Sequence, residues 1–241
     1  MAAASPIHVI SLDRTPDRWR AFQADNPGIA VARFAAVDGR SVDRHALIEA
    51  GLAHADLAYT PGAFGCALSH AALWRRCVET GTPLTICEDD AILRGDFPAM
   101  SAEIAQRATE AELVLWGWNF DSVLAGRLFG ETPFATGFDQ ARLRASIPAF
   151  QAERTAPTLL RLHRALGTPA YTISPKGAQA LLARCFPLRP EPVFVPLLDR
   201  EIPNTGVDIA MNAAYPQIAA YVAFPPLAVT RNAVEASTVE A

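Results

Sequence analysis

Residues 61–90 read PGAFGCALSHAALWRRCVETGTPLTICEDD, and they carry the clearest signals of secondary structure in the chain. Its apolar residues recur at three- and four-residue spacing, as on one buried face of a helix: Ala67, Ala71, Trp74 and Val78. Gly81 is suited to end that helix, and Pro83 prevents its continuation. The apolar residues LTIC then predict a strand that ends in Glu88-Asp89-Asp90. A long helix that leads directly into a buried strand indicates an α/β fold.

The sequence on either side repeats this alternation of strands and helices. IHVISL at 7–12 predicts a buried strand that is followed by a helix, and VARFAAV at 31–37 predicts a second strand. Further strands are predicted at 112–118 (ELVLWGW) and at 170–174 (AYTIS), and the last leads into the helical stretch AQALLARCF. We therefore predict an α/β fold with a mostly parallel central sheet flanked by helices.

The organisation along the chain favours a single domain over residues 1–241, because the sequence contains no repeat, low-complexity tract or linker. Residues 119–165 show little periodicity, and we expect a variable region with short helices that shapes an acceptor site. The polar tail at about 230–241 is expected to be loosely held.

Composition and charge exclude several classes of function. The net charge of −4 argues against a sequence-independent nucleic-acid binder, which needs a basic surface, and we expect no nucleic-acid partner. No stretch approaches the roughly 20 apolar residues that cross a bilayer. The first apolar run is short and has no basic segment before it, so we interpret it as a strand and not as an export signal. We expect a cytoplasmic protein, and peripheral contact with the inner face of the membrane stays open.

The four cysteines, Cys66, Cys77, Cys87 and Cys185, form no Cys-x-x-Cys pair. We interpret them as buried free thiols in a reducing compartment. Cys66 lies four residues before His70, so a zinc cluster that includes Cys77 and Cys87 is the alternative. Structural zinc sites use tighter paired spacings, and this disfavours the cluster.

The acidic triplet Glu88-Asp89-Asp90 is the sharpest chemical feature. Residues two apart in an extended segment point to the same side, so Glu88 and Asp90 can converge on one ion while Asp89 points away or turns toward a sugar. Carboxylate oxygens suit Mg²⁺ or Mn²⁺, and phosphate oxygens can complete the shell. Ligands of parallel α/β sheets gather beyond the carboxyl ends of the strands, where this triplet is predicted to lie. The alternative is a solvated acidic turn without an ion.

Several blocks together resemble glycosyltransferase family 25, which includes bacterial lipopolysaccharide sugar transferases and collagen galactosyltransferases. They occur in the family's order: VISLDRTPDRW, AAVDGR, GAFGCALSHAALWRRCVETGTPLTICEDDAIL, AYTISPKGAQALL, VDIAMNAAYP and PPLAV. The resemblance implies a GT-A-like nucleotide-sugar-binding fold, a nucleotide-sugar donor that is often UDP-galactose, and inverting transfer. It also implies that Glu88 and Asp90 are the counterpart of the Asp-x-Asp metal motif. Phe64 departs from the polar or β-branched residue of many relatives, which leaves the donor contacts there open.

Five residues are candidates for binding the nucleotide-sugar. Asp13, Arg14 and Arg18 follow the first strand, where an arginine can pair with phosphate and an aspartate can accept from ribose. Their alternative is a charged helix start. Ser69 and His70 precede the metal strand, and the histidine can bind phosphate or orient a carboxylate, with structural packing as the alternative.

Asp208 is the candidate general base, because inverting transfer needs a proton acceptor beside the acceptor hydroxyl. Its alternative role is a helix N-cap, and Asp199 is the alternative base. Asp89 is a second candidate catalytic residue. Three residues at the end of the strand predicted at 112–118 are candidates for stacking on or binding the acceptor: Trp116, Trp118 and Asn119. Core packing is the stronger interpretation of Trp116.

The resulting hypothesis is metal-dependent inverting transfer of a hexose, with galactose favoured, from a UDP-sugar to a saccharide acceptor. A lipid could carry that acceptor, and the product would serve cell-surface polysaccharide or lipooligosaccharide synthesis. The alternatives are a non-catalytic nucleotide-sugar-binding protein and a carboxylate-metal phosphoester hydrolase.

Overall fold

The computed structural model describes residues 6–231. The helices are α1 (Pro16–Asp25), α2 (Arg44–Glu49), α3 (Pro61–Thr80), α4 (Phe97–Arg107), α5 (Gln140–Ala145), α6 (Ile147–Ala152), α7 (Pro175–Cys185) and α8 (Val207–Met211). The strands are β1 (Ile7–Ser11), β2 (Val31–Ala35), β3 (Leu84–Glu88), β4 (Ala91–Leu93), β5 (Leu113–Leu115), β6 (Leu124–Arg127), β7 (Pro133–Thr136), β8 (Thr158–Ala165), β9 (Ala170–Ile173), β10 (Val193–Val195), β11 (Arg200–Ile202), β12 (Ala220–Phe224) and β13 (Ala228–Thr230).

The central sheet of the described chain has nine strands in the order β2-β1-β3-β9-β5-β12-β8-β6-β7. Strands β2, β1 and β3 are parallel, as are β5 and β12, whereas the other five pairings are antiparallel. The sheet is therefore mixed, and its parallel part is the segment that carries the acidic triplet. Two short ladders, β10-β11 and β4-β13, lie outside it.

Helices cover both faces of the sheet, which confirms the expected α/β class. Side chains of a strand alternate between the two faces, so each strand contributes to two cores. Leu84 and Ile86 of β3 pack in a core with α3, α7 and α8, whereas Cys87 packs in a second core with Phe22 of α1 and Phe97 of α4. This layered arrangement holds the end of β3 rigidly between two packed faces.

Helix α3 begins and ends where local chemistry dictates. The Thr60 hydroxyl accepts a hydrogen bond from the Ala63 amide at 3.1 Å, and Pro61 takes the first helical position. Gly81 ends the helix with a φ of 64°, in the left-handed region that favours glycine. The predicted helix and its stop signals are confirmed.

The C-terminal half differs from the sequence expectation in several ways. Residues 119–165 contain the short helices α5 and α6, as expected, but also β6, β7 and the eight-residue β8, which extend the central sheet. Trp118, which the sequence leaves open, is fully buried like Trp116 and stacks on Phe120. Thr230, at the start of the predicted loose tail, lies in β13, and residues 232–241 fall outside the described residues.

Within the described residues, none of the helices has both the length and the hydropathy of a bilayer-spanning segment.

Candidate active site

A cavity of about 480 Å³ lies at the carboxyl ends of β3 and β5. Its walls come from the start of α3, the residues after β3 and β5, the segment 167–169, and the segment 205–209 at the start of α8. This volume is within the roughly 300–1,000 Å³ of small-molecule sites. Position and size together make the cavity the candidate active site.

Two of the three carboxylates in the acidic triplet line this cavity. Glu88 accepts a hydrogen bond from the Thr168 hydroxyl at 2.7 Å, and its side chain is 29% exposed. Asp90 follows at the mouth of the cavity with 43% of its side chain exposed. Desolvation by the surrounding walls and the neighbouring Glu88 charge raise the pKa of Asp90. This pair therefore carries negative charge that a cation would relieve.

Asp89 turns away from the pair and binds Arg18. The Arg18 Nε and Nη2 atoms donate to Asp89 Oδ1 at 2.8 and 2.6 Å, and Arg18 also lies 3.6 Å from Asp90 Oδ2. Burial alone would lower the pKa of Arg18, but the hydrogen bond and charge of Asp89 outweigh it and raise the pKa. Asp89 is nearly buried and lies outside the described lining of the cavity. Its contacts are those of a carboxylate that positions Arg18.

Asp13 and Arg14 lie on the turn after β1 and pair with residues outside the cavity. Asp13, whose side chain is 77% exposed, lies 2.7 Å from Arg33 of β2. The Arg14 Nε lies 3.2 Å from Asp38. The structure therefore brings Arg18 to the acidic triplet, but leaves Asp13 and Arg14 in ion pairs at a distance from the cavity lining.

Ser69 and His70 are adjacent on α3 but point in different directions. The Ser69 hydroxyl donates to the Gly65 carbonyl at 2.7 Å and accepts from the Val37 amide at 2.9 Å, so it joins α3 to the loop after β2. The His70 ring contacts the Tyr171 hydroxyl through Nδ1 at 2.7 Å. Its Nε2 lies 3.6 Å from Glu88 Oε1. His70 therefore faces the acidic site, whereas Ser69 has the contacts of a structural residue.

Asp208 lines the same cavity as Glu88 and Asp90, as the second residue of α8. Its Oδ2 accepts a hydrogen bond from the Gly167 amide at 2.8 Å. Burial, opposed by this hydrogen bond and helped by the Glu88 charge, raises the pKa of Asp208. Asp199 is exposed, has a φ of 46° and is not part of the described cavity lining. The geometry thus favours Asp208 over Asp199.

The segment 166–169 is the part of the site that sequence reasoning missed. The Leu166 carbonyl accepts from the Asn119 amide at 2.8 Å, and the Pro169 carbonyl accepts from the Glu88 amide at 3.0 Å. These bonds hold Thr168 against Glu88 and Gly167 against Asp208. The segment reaches this edge because β9 runs antiparallel to β3 and β5 and therefore begins where they end. No local pattern in the sequence indicates that direction.

A second cavity of about 410 Å³ borders the first. It is lined by Asp121, Ser122, Thr136, Gly137, Leu166 and Arg200, among others. Leu166 adjoins Gly167, and Asp121 follows Asn119 by two residues, so the same two segments form walls of both cavities. The second cavity belongs largely to the region 119–165.

Comparison with known proteins settles the family. The sequence model described as Glycosyltransferase family 25 (LPS biosynthesis protein) matches residues 4–194. The chain belongs to glycosyltransferase family 25. This confirms the family, and with it the class of enzyme, that the resemblance of its sequence blocks indicated.

Two fly proteins are similar to this family 25 chain. Each carries the name Glycosyltransferase 25 family member; that of Drosophila melanogaster is 29% identical and that of Drosophila pseudoobscura pseudoobscura is 28% identical, both over 212 residues. Each alignment covers 82% of this chain but only 31% and 30% of the respective relative. The chain thus spans about a third of the length of these relatives. The match to the family includes the acidic triplet, whereas Asp208 lies beyond it.

Proposed function

We propose that this family 25 glycosyltransferase moves a hexose from a UDP-sugar to a saccharide acceptor with inversion at the transferred sugar. The observation that carries the proposal is the convergence of three carboxylates, Glu88, Asp90 and Asp208, on one cavity. Two of them belong to the acidic triplet, and the third comes from a helix more than a hundred residues later. Such a set offers both a cation site and the base that inverting transfer requires.

Glu88 and Asp90 fit Mn²⁺ or Mg²⁺, because both ions prefer carboxylate oxygens. Asp89 is engaged by Arg18, whereas the other two acidic residues of the triplet, Glu88 and Asp90, face the cavity. The raised pKa of Asp90 reflects a site where negative charge is costly without a cation. When bound, the cation would offset the charge that develops on the departing nucleoside diphosphate. Arg18, near the cation site, would add positive charge for the same diphosphate.

Asp208 is suited to accept the proton of the attacking hydroxyl. The Gly167 amide fixes its orientation, and burial raises its pKa, which makes it a stronger base than an exposed aspartate. The segment 166–169 therefore serves two carboxylates, since the Thr168 hydroxyl holds Glu88.

The second cavity is proposed as the acceptor site. It combines polar groups, such as Asp121 and Arg200, with apolar surface from Leu166 and Leu198. Saccharides bind through hydrogen bonds to such polar groups and through their apolar faces. The LPS biosynthesis in the family description favours a cell-surface saccharide as acceptor, with galactose as the proposed sugar and the cytoplasm as the proposed location.

A thermal-shift experiment tests the donor and cation sites. We expect UDP-galactose with Mn²⁺ to stabilise the protein by about 2.7 kcal/mol at a hundredfold excess over Kd, which corresponds to a Tm rise of about 5–10 °C. The double variant Glu88→Gln/Asp90→Asn should lose this rise. Asp56→Asn, which changes an exposed carboxylate outside the described cavity lining, serves as the matched control and should keep it.

Release of UDP separates the alternatives. The proposed transferase releases UDP from the donor faster when a saccharide acceptor is added. Binding without UDP release with any saccharide would indicate a non-catalytic nucleotide-sugar binder. Hydrolysis of phosphoesters with no response to UDP-sugars would refute the proposal in favour of a phosphoester hydrolase.

A further inference from the structure

A cluster of three different metal-ligating side chains lies at the inner wall of the first cavity. Cys66 and Glu88 line the cavity, and His70 lies behind them. One ligand atom from each residue lies within 4.8 Å of the other two. Bonds of about 2.0–2.3 Å in a tetrahedral zinc site place neighbouring ligand atoms about 3.3–3.8 Å apart. The His70 Nε2–Glu88 Oε1 distance of 3.6 Å already falls in that range, so a small contraction would complete the set.

The Nε2 atom of His70 is a buried polar atom without a hydrogen bond among the described residues. The side chain is fully buried, and among the described residues Nε2 has no hydrogen-bond partner. Its nearest acidic atom, on Glu88, is at 3.6 Å, beyond hydrogen-bond range. A buried ring nitrogen without a partner destabilises the folded protein, and a bound metal ion would provide that partner.

The ring of His70 is already oriented as a metal ligand would be. Its Nδ1 contacts the Tyr171 hydroxyl at 2.7 Å, and the Trp74 Nε1 donates to the same oxygen at 2.7 Å. When Nδ1 carries the proton and donates to this hydroxyl, Nε2 presents its lone pair toward Cys66 and Glu88. Histidine ligands of metals are commonly held in this way through their other nitrogen.

Cys66 is placed to supply the sulfur ligand. It lies four residues before His70, hence on the same face of α3, and it borders the cavity from which an ion would enter. Cys77 points elsewhere, because its Sγ donates to the Thr82 carbonyl at 3.2 Å. The group of possible ligands in the structure therefore differs from the one considered from the sequence: it contains Glu88 in place of Cys77 and Cys87. The spacing of cysteines and histidines along the chain does not reveal this group, because its third member, Glu88, lies on β3 and not on α3.

We propose that Cys66, His70 and Glu88 form a site for a borderline-soft divalent ion, Zn²⁺ above all, with its fourth position open to the cavity. Thiolate, imidazole and carboxylate together suit Zn²⁺ or Co²⁺, whereas Mg²⁺ takes oxygen ligands. Glu88 belongs both to this site and to the proposed Mn²⁺ site. Zn²⁺ bound here withdraws Glu88 from Asp90 and so opposes donor binding, and this second consequence rests on the proposed function.

The site is tested with Co²⁺, whose thiolate complexes absorb in the near ultraviolet and whose four-coordinate complexes absorb strongly in the visible. Metal-free protein titrated with Co²⁺ should develop both bands at one equivalent, and Zn²⁺ should abolish them. Cys66→Ser should remove the thiolate band and weaken Zn²⁺ binding by more than the roughly 100-fold that an outer partner of a ligand contributes. Cys185→Ser, which replaces a buried thiol on α7, is the matched control and should keep the thiolate band and the Zn²⁺ affinity.

Absence of the thiolate band, or its persistence in Cys66→Ser, would overturn the site. Loss of the band to the same extent in a Cys185→Ser variant that is folded would also overturn it, because the signal would then come from another thiol. Circular dichroism of each variant checks folding. The donor site is read separately, by the UDP-galactose thermal shift with Mn²⁺. A Co²⁺ thiolate band without the thermal shift supports the zinc site and contradicts the donor proposal. A thermal shift without the Co²⁺ band contradicts the zinc site and leaves the donor proposal standing.

Discussion

Three consecutive carboxylates in this chain have three different environments. Glu88 accepts from Thr168 and faces His70, Asp89 binds Arg18, and Asp90 borders the cavity. Glu88 is the last residue of β3, whereas Asp89 and Asp90 lie in the turn that follows, and this turn directs Asp89 to Arg18. The sequence could predict that Glu88 and Asp90 share a side, but not which cation compensates Asp89. Arg18 lies 71 residues away, and only the parallel pairing of β1 with β3 brings it near.

Asp208→Asn should reduce kcat by about 10²–10⁴-fold while donor binding stays unchanged, because the amide cannot accept the proton. In the unmodified enzyme the base must be deprotonated, so kcat/KM falls as the pH drops through the pKa of Asp208. Since burial raises that pKa, the acid limb should lie above the ordinary value of about 3.9 for aspartate. A pH profile of kcat/KM measures this limb. Asp199→Asn is the control, and an equal loss in that variant would contradict the assignment.

Arg18→Met should lower the free energy of unfolding by about 2 kcal/mol, because Asp89 is then left nearly buried and charged without its partner. Adding Asp89→Leu should recover most of that loss, since the buried charge is removed as well. Urea unfolding of the single and double variants measures both steps. A double variant less stable than Arg18→Met would show that Asp89 has a stabilising partner other than Arg18.

At the scale of elements, α3 was the most predictable part of the fold. Its apolar stripe and its glycine stop are local signals, and Ala67, Ala71 and Trp74 are buried as expected. Val78, the last residue of the predicted stripe, is instead exposed. The strands β8 and β9 carry no such signal of direction or neighbour. Strand β9 lies between β3 and β5 in the sheet, although neither of these strands is next to β9 in the sequence. The segment 166–169, and with it Thr168, therefore could not be assigned to the site from sequence.

Gly65→Ala should destabilise the protein, although glycine to alanine in an open helix stabilises by about 1 kcal/mol. An added Cβ would lie 2.5 Å from the Val37 carbonyl oxygen and 2.7 Å from the Gly39 amide nitrogen. Both are backbone atoms, so the helix or the loop must shift, at a cost of about 1–3 kcal/mol. A lower Tm of Gly65→Ala than of the unmodified protein would confirm the destabilisation, and a higher Tm would contradict it. Gly137→Ala, where an added Cβ meets no atom within 4 Å, is the control and should leave the Tm nearly unchanged.

At the scale of the whole molecule, the candidate active site depends on strand order more than on any one motif. The first cavity takes walls from α3, from the ends of β3 and β5, and from α8, whose sequences are spread over about 150 residues. The second cavity adds walls from residues 121–123 before β6, residues 135–137 at the end of β7, and β11. The division suits the two proposed ligands, because Glu88, Asp90 and Asp208 line the first cavity, whereas the second combines Asp121 and Arg200 with apolar Leu198.

Blocking the second cavity should therefore impair acceptor use and spare the donor. Gly137 lines this cavity and has open space around its Cβ position, so Gly137→Phe can fill the cavity without a backbone clash. We expect KM for the acceptor to rise by about 10-fold or more, equivalent to about 1.4 kcal/mol, while the UDP-galactose thermal shift with Mn²⁺ is retained. Thr132→Phe, an exposed position on the same hairpin, is the matched control. Equal effects of both variants on acceptor KM, or loss of the donor shift in Gly137→Phe, would mean that the second cavity is not the acceptor site.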